Sequence, residues 1–272
     1  MLALIAGQGR LPVAIADRLE AEGTPFHLCE MEGFPVENCG GRPIIRFRIE
    51  QVGSFLEKLT GLGVNDVVFA GTVHRPPIDP SQIDSKTLPL VPRMLAAIKA
   101  GDDAALRGVL SIFEDAGFAI KAAHEVLPEL LPAAGVLSDA QPDETAQSDA
   151  ARGAEIVAAM GAVDVGQACV VSRGQALAIE ALPGTDWMLQ TLSDGGGGPQ
   201  RPEGGILFKA PKPMQDRRVD LPAIGPETVR GAKAAGLSGI VIEAGGVMVL
   251  DRDATIAEAN ALGLFLWVRE SA

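Results

Sequence analysis

Residues 2–12 read Leu-Ala-Leu-Ile-Ala-Gly-Gln-Gly-Arg-Leu-Pro. The apolar run from Leu2 to Ala6 is closed by Gly7-Gln8-Gly9, and an amphipathic pattern follows from Leu11 to Glu22. Pro12 stands in the first turn of that pattern, where its missing N–H breaks no intrahelical bond, and Gly23 stands just past the end. The stretch predicts a strand, a glycine turn and a helix. It lacks the third glycine of a dinucleotide fingerprint, and no clear acidic partner for a ribose follows at strand end. An NAD-dependent oxidoreductase would rest on this turn alone. The two glycines are better read as backbone that a ligand or another element approaches closely.

Working outward, strands are predicted at Phe26–Cys29, Pro43–Arg46 and Asp66–Ala70, with a helix over Gln51–Leu62 before the last of them. Strands alternating with helices predict an α/β fold with a Rossmann-like, mostly parallel sheet, whose ligands gather at the carboxyl ends of its strands. Gly71-Thr72-Val73-His74-Arg75-Pro76-Pro77 lies at such an end, which makes His74 a candidate contact for a phosphate or sugar. A helix is predicted from Arg93 to Ala100. Leu106, Val109, Leu110 and Phe113 then fall at helical spacing, which ends at Gly117. Asp102 is placed to cap that helix and Asp103 to meet its dipole.

Residues 138–148 carry almost no large apolar side chain and are read as a linker between an N-terminal domain, 1–137, and a C-terminal domain, 149–272. The second half predicts a mixed α/β sheet. Gln167–Ser172 and Gln175–Ala181 flank Arg173-Gly174 as a hairpin, and Ile240–Ile242 with Val247–Leu250 predict a second one. Between them, Lys209–Thr228 packs Lys209, Lys212, Arg217 and Arg218 beside Asp216 and Asp220. Four prolines stiffen this stretch, which is expected to be an exposed connection feeding a helix from Pro226.

The net charge of −12 argues against a general nucleic-acid binder or a polybasic membrane anchor, and makes this local cluster of cations informative. With 47% apolar residues the chain can build a large core. Three cysteines without Cys-x-x-Cys spacing read as reduced thiols, and three histidines nearly exclude a His-rich metal centre. No signal peptide or membrane span is legible, so a cytoplasmic protein is expected. Neither a Gly-x-Ser-x-Gly elbow nor a P-loop is present. What remains is a carboxylate set, Glu180, Asp186, Asp216 and Asp220, beside Lys209, Lys212 and Gln215. Magnesium usually takes one or two protein carboxylates plus waters and phosphate oxygens, and such a set suits it.

Five segments occur in order along the chain: Gly7-Gln8-Gly9-x-x-Pro12; Gly71-x-Val73-x-Arg75-Pro76; Asp164-Val165-Gly166-Gln167; Ala178-Ile179-Glu180-Ala181-x-x-Gly184-Thr185-Asp186; and Lys209-x-x-Lys212-Pro213-x-Gln215-Asp216-x-Arg218-x-Asp220-Leu221-Pro222-x-Ile224-Gly225. Together they resemble the LpxI-type UDP-2,3-diacylglucosamine diphosphatase family of lipid A biosynthesis. One departure is Pro183, where the family usually carries Glu before Gly-Thr-Asp.

The resemblance implies a two-domain enzyme that splits UDP-2,3-diacylglucosamine into UMP and 2,3-diacylglucosamine 1-phosphate with Mg²⁺, in a cleft between domains. It would work at the cytoplasmic face of the inner membrane, held there through its lipid-linked substrate, with a second copy of the chain as an optional partner. In that scheme Asp220 is the metal ligand or water-orienting carboxylate, assisted by Asp186 or Asp216. Thr185, Lys209, Lys212 and Gln215 would hold the substrate, while Gly7, Gly9, His74, Asp102 and Asp103 approach from the first domain. The competing expectation is a non-catalytic module that binds a nucleotide sugar or lipid in the same cleft.

Overall fold

The computed structural model describes residues 1–74, 77–99, 102–195, 204–213 and 215–270, with the side chains of 97–99 and 102–104 outside that set. The chain divides into two compact units, Met1–Leu127 and Pro128–Ala272.

The first unit opens with β1 (Leu2–Ala6), α1 (Leu11–Ala21), β2 (Phe26–Met31), β3 (Ile44–Phe47), α2 (Val52–Gly61) and β4 (Asp66–Ala70). It closes with α3 (Val91–Lys99), α4 (Asp102–Asp115), β5 (Ala119–Lys121) and α5 (Ala123–Val126). All its strands run parallel in the order β3-β2-β1-β4-β5. Every residue of the central strand β1 is buried, which is why its sequence is continuously apolar rather than alternating. The order reverses between β1 and β4, and the glycine turn lies at that switch point. There the turn meets its neighbour: Gln8 and Thr72 exchange backbone hydrogen bonds of 2.9 Å each. A Cβ on Gly7 would lie 2.6 Å from the Thr72 carbonyl, and one on Gly71 (φ +87°) 2.6 Å from that of Gln8. The close approach read from the glycines is therefore that of a second loop. In α4, Leu110 and Phe113 are buried, and the Phe113 ring packs edge-on against Phe69 and Phe55. The second half of this helix's apolar stripe is core, while Leu106 and Val109 are half-buried.

The second unit holds β6 (Gly135–Val136), α6 (Glu144–Ala162), β7 (Ala168–Ser172), β8 (Gln175–Ile179), α7 (Gly184–Ser193), β9 (Ile206–Lys209) and β10 (Ala223–Ile224). It ends with α8 (Pro226–Ala234), β11 (Gly239–Glu243), β12 (Met248–Val249), α9 (Arg252–Leu262) and β13 (Phe265–Arg269). Six strands form a mixed sheet, β6-β13-β11-β9-β7-β8, in which β9, β11 and β13 are parallel and β6, β7 and β8 supply the antiparallel pairings. Alternate strand residues sort to two faces. Cys169, Val171, Ile206 and Phe208 pack on α6, while Ala168, Val170, Leu207, Ile240 and Leu266 pack on α7, α8 and α9. Gly153 lets α6 settle onto the Phe208 ring, since a Cβ there would lie 2.6 Å from the Phe208 Cβ.

Three expectations are corrected here. The boundary lies after Leu127, so 138–148 is no linker. It is polar because it spends its side chains on fixing itself to the second unit. Ser138 Oγ accepts the Leu266 N–H at 2.7 Å, Asp139 N–H donates to Asn260 Oδ1 at 2.8 Å, and Asp143 caps α6 through the Ala146 N–H at 2.7 Å. The helix α6 accordingly begins at Glu144, inside the stretch read as a linker. The hairpin at Arg173-Gly174 forms, but the one expected around Gly245-Gly246 does not: β12 pairs parallel with β10 instead of folding back on β11. Finally, Lys209–Thr228 is not an exposed connection. Lys209, Ala210, Gln215, Leu221 and Ile224 are all buried: Ala210 and Ile224 join the core, and Lys209 and Gln215 spend their polar ends on internal hydrogen bonds. The helix at Pro226 is where it was expected.

Candidate functional site

The parallel strands of the second unit end together. Lys209 closes β9 opposite Ile242 of β11 and opposite Ala168, which opens the antiparallel β7. The loop after Lys209 therefore emerges at the carboxyl edge of the sheet, where Glu180 follows β8 and α7 begins. Glycines seat this loop: a Cβ on Gly161 would lie 2.8 Å from Pro213 Cδ, and one on Gly246 2.7 Å from Pro211 Cδ.

One hydrogen-bonded chain runs through this edge. Lys209 Nζ donates to the Ala223 carbonyl at 3.0 Å and to Thr185 Oγ1 at 2.8 Å. The Thr185 hydroxyl in turn donates to Glu180 Oε1 at 3.1 Å, and Glu180 Oε2 accepts the Gln167 N–H at 3.3 Å. Gln215 Nε2 donates to Gln167 Oε1 at 3.3 Å, and Gln215 Oε1 accepts the Lys212 N–H at 3.0 Å. Lys212 Nζ closes the chain on Asp164 Oδ1 at 2.7 Å. Beside it, Asp216 receives the Arg218 guanidinium at 3.0 and 2.7 Å, and its carbonyl accepts the Asp220 N–H at 3.0 Å.

Burial differs sharply among these groups. Lys209 is 6% exposed, Glu180 7%, Thr185 7% and Gln215 8%, whereas Asp186 is exposed and Lys212, Asp216 and Asp220 are half-buried. Burial pulls the Lys209 ammonium below its ordinary pKa, and the nearby carboxylates of Glu180 and then Asp186 work against that fall. Asp186, in the first turn of α7, also lies where a negative charge meets the helix dipole favourably.

Family comparisons speak to the same architecture. The LpxI N-terminal domain model matches residues 1–130 and the LpxI C-terminal domain model residues 133–267. A relative from Caulobacter vibrioides, described as UDP-2,3-diacylglucosamine pyrophosphatase LpxI, is 40% identical over 271 residues, covering 97% of this chain and 96% of the relative. The chain belongs to the LpxI family.

In this LpxI fold, seven of the expected site residues, Thr185, Asp186, Lys209, Lys212, Gln215, Asp216 and Asp220, lie at one edge of the second unit. Gly7, Gly9 and His74 lie in the first unit, with His74 exposed after β4. The side chains of Asp102 and Asp103, like Arg75 and Pro76 of the quoted motifs, lie outside the described residues. The first unit also has a cleft of about 250 Å³, lined by residues that include Glu32, Phe34, Arg48 and Glu50, but it contains no expected site residue and Arg48 is paired there with Glu32 at 2.8 Å.

Among the described residues no three His, Cys, Asp or Glu side chains converge on one point. Mg²⁺ needs only one or two, so Asp186 and Asp220, neither buried, suit it by donor type. The network holds one residue not expected there, Gln167, and one expected only as a member of the carboxylate set, Glu180. Gln167 joins both halves of the network, and Glu180 receives Thr185. Both stand inside the quoted motifs, but nothing in their local spacing marks them as buried.

Proposed function

We propose that this chain hydrolyses the pyrophosphate bond of UDP-2,3-diacylglucosamine to UMP and 2,3-diacylglucosamine 1-phosphate. The observation that carries the reading is the full-length kinship with a relative of that description. The edge of the second unit supports it, because it gathers lysines, carboxylates and amide groups where a doubly charged diphosphate would need them.

In this reading one water is consumed: its oxygen bonds to a phosphorus, the bond from that phosphorus to the bridging oxygen breaks, and the bridging oxygen leaves on the other phosphate. Lys209 and Lys212 offset charge that develops on the phosphoryl oxygens, and Gln215 holds an oxygen by its amide. Asp220 orients the water. Asp186 and Asp220 would hold Mg²⁺, which when bound polarises the phosphoryl group. Arg218 keeps Asp216 in place by its two-pronged contact, leaving that carboxylate an assisting role. The chain would meet the cytoplasmic face of the inner membrane through the acyl chains of its substrate rather than through anionic headgroups, given its net charge of −12.

Incubation of the purified protein with UDP-2,3-diacylglucosamine, with and without EDTA, tests this. Release of UMP that stops with chelator is the expected result. Binding without product would instead mark a non-catalytic module, and would overturn the reading. Asp220→Asn is expected to lower kcat at least about 10²-fold while leaving the unfolding midpoint in place.

A further inference from the structure

Glu180 has no place in the mechanism so far, yet it is among the least exposed carboxylates of the chain. Three contacts hold it. Thr185 donates to one oxygen and the Gln167 N–H to the other, and Gly166 lies so close that a Cβ there would stand 2.3 Å from the Glu180 carbonyl oxygen. The Gly166 approach fixes the Glu180 backbone, and the two hydrogen bonds fix its carboxylate. Its hydroxyl partner is equally committed: the single Thr185 proton points to Glu180, so the oxygen is presented to Lys209 as an acceptor. Lys209 has three N–H groups, of which two go to Thr185 and the Ala223 carbonyl.

Stability is a weak reason for such an arrangement. Buried ion pairs are commonly matched or bettered by apolar residues of similar size, because removing both charges from water costs more than their attraction returns. Lys209 and Glu180 are nonetheless both kept buried at the edge of the sheet, linked through Thr185.

We propose that Glu180 is a positioning residue. Through the Thr185 hydroxyl it holds the Lys209 ammonium at the sheet edge, with one N–H left for a phosphoryl oxygen of the substrate. The inference rests on the diphosphatase reading for its consequence in turnover, though not for the geometry itself. Thr185 accordingly serves Lys209 and does not donate its hydroxyl to the substrate. The other charged group acting on the ammonium is Asp186 on α7.

Two measurements on full-length protein test it. The first is steady-state UMP release by the wild type, Glu180→Gln, Thr185→Val and Thr185→Ser, with circular dichroism to confirm folding. Glu180→Gln and Thr185→Val are expected to lower kcat about tenfold or more with KM moving less than about threefold, since a misaimed cation is felt mainly in the transition state. Thr185→Ser, which keeps the hydroxyl, is expected to stay within about threefold of wild type. The second is acylation of Lys209 by acetic anhydride, read by mass spectrometry against exposed Lys233. Lys209 is expected to react more slowly than Lys233 in the wild type and Thr185→Ser, and to gain at least about fivefold in relative rate in Glu180→Gln and Thr185→Val.

Wild-type turnover in Glu180→Gln, or Lys209 labelling unchanged in both loosened variants, overturns the proposal. A wild type that releases no UMP overturns the diphosphatase reading alone, because the labelling still decides the role of Glu180. If Thr185→Val fails to fold, the isosteric Glu180→Gln carries the test.

Discussion

At the scale of single residues, burial decides chemistry more than residue type does. The thiols of Cys29 and Cys169 are sealed in the two cores, and burial pushes each up to about 12. Cys39 is half-buried and free. In the folded protein at pH 8 one thiol per chain, Cys39, is expected to react promptly with a disulfide reagent, and the other two only as the chain unfolds. A chromogenic thiol titration with and without denaturant checks this. The linked sign is also fixed. A thiol whose folded pKa lies above its unfolded value keeps its proton in the fold while the open chain loses it, so this stabilisation is complete below about 8.5 and is lost as pH rises toward 12. The same dependence on burial explains why Glu180 could be read as one of a carboxylate set but not as a buried acceptor. Its neighbours in sequence suggest a solvated hairpin end, and only Thr185 and Lys209, brought in by α7 and β9, make it a buried acceptor. Asp220, Asp216 and Lys212 stood out as candidates because unlike charges crowded among prolines are conspicuous within the chain itself.

At the scale of elements, the helix α6 does more than cover a sheet face. Asp149, 2% exposed on that helix, accepts the N–H groups of Arg173 and Gly174 at 3.0 and 2.6 Å. Both residues have positive φ, 50° and 77°, as the tight turn between β7 and β8 requires. Asp149→Ala leaves those donors without their acceptor and is expected to cost about 1–3 kcal/mol, read as a fall in urea midpoint at unchanged slope. The turn itself was visible in the dipeptide Arg-Gly between alternating segments. Its anchor was not, because a mid-helix Asp looks like any solvated one until the hairpin is laid across it. Elements set by short-range patterns, such as β1 with α1 or the β7–β8 hairpin, were readable. The β10–β12 pair was not, since two residues a side carry no period, and parallel partners are never adjacent in sequence.

At the scale of the whole molecule, the place where the chain divides has a direct test. Residues 128–272 contain β6, which pairs with Trp267 and Val268, and Leu137, whose N–H donates to the Leu266 carbonyl at 2.8 Å. A fragment of 128–272 is expected to unfold cooperatively on its own. One beginning at Ser138 should unfold at a distinctly lower denaturant concentration, because it bares the edge of β13. Equal midpoints would restore the boundary expected from composition. That expectation failed for a definite reason: a run of small polar residues looks the same whether it is solvated or engaged in capping and edge bonds.

The small parallel pair of β10 and β12 also carries a kinetic consequence. Its partners, Ala223 with Met248 and Ile224 with Val249, are separated along the chain by all of α8 and β11. Closing it requires that crossover to be in place first, so this pair belongs to the late side of the folding barrier. Truncating Met248 to Ala is then expected to hasten unfolding while hardly slowing refolding, a contrast that stopped-flow chevrons resolve. Since Ala223 supplies the carbonyl that receives Lys209, a chain halted just short of this step would hold its sheet and helices and pass for native in circular dichroism. It would still lack one of the two contacts that aim its buried cation. Secondary structure would then recover before enzyme activity during refolding, and the interval between the two would time the closing of β10 on β12.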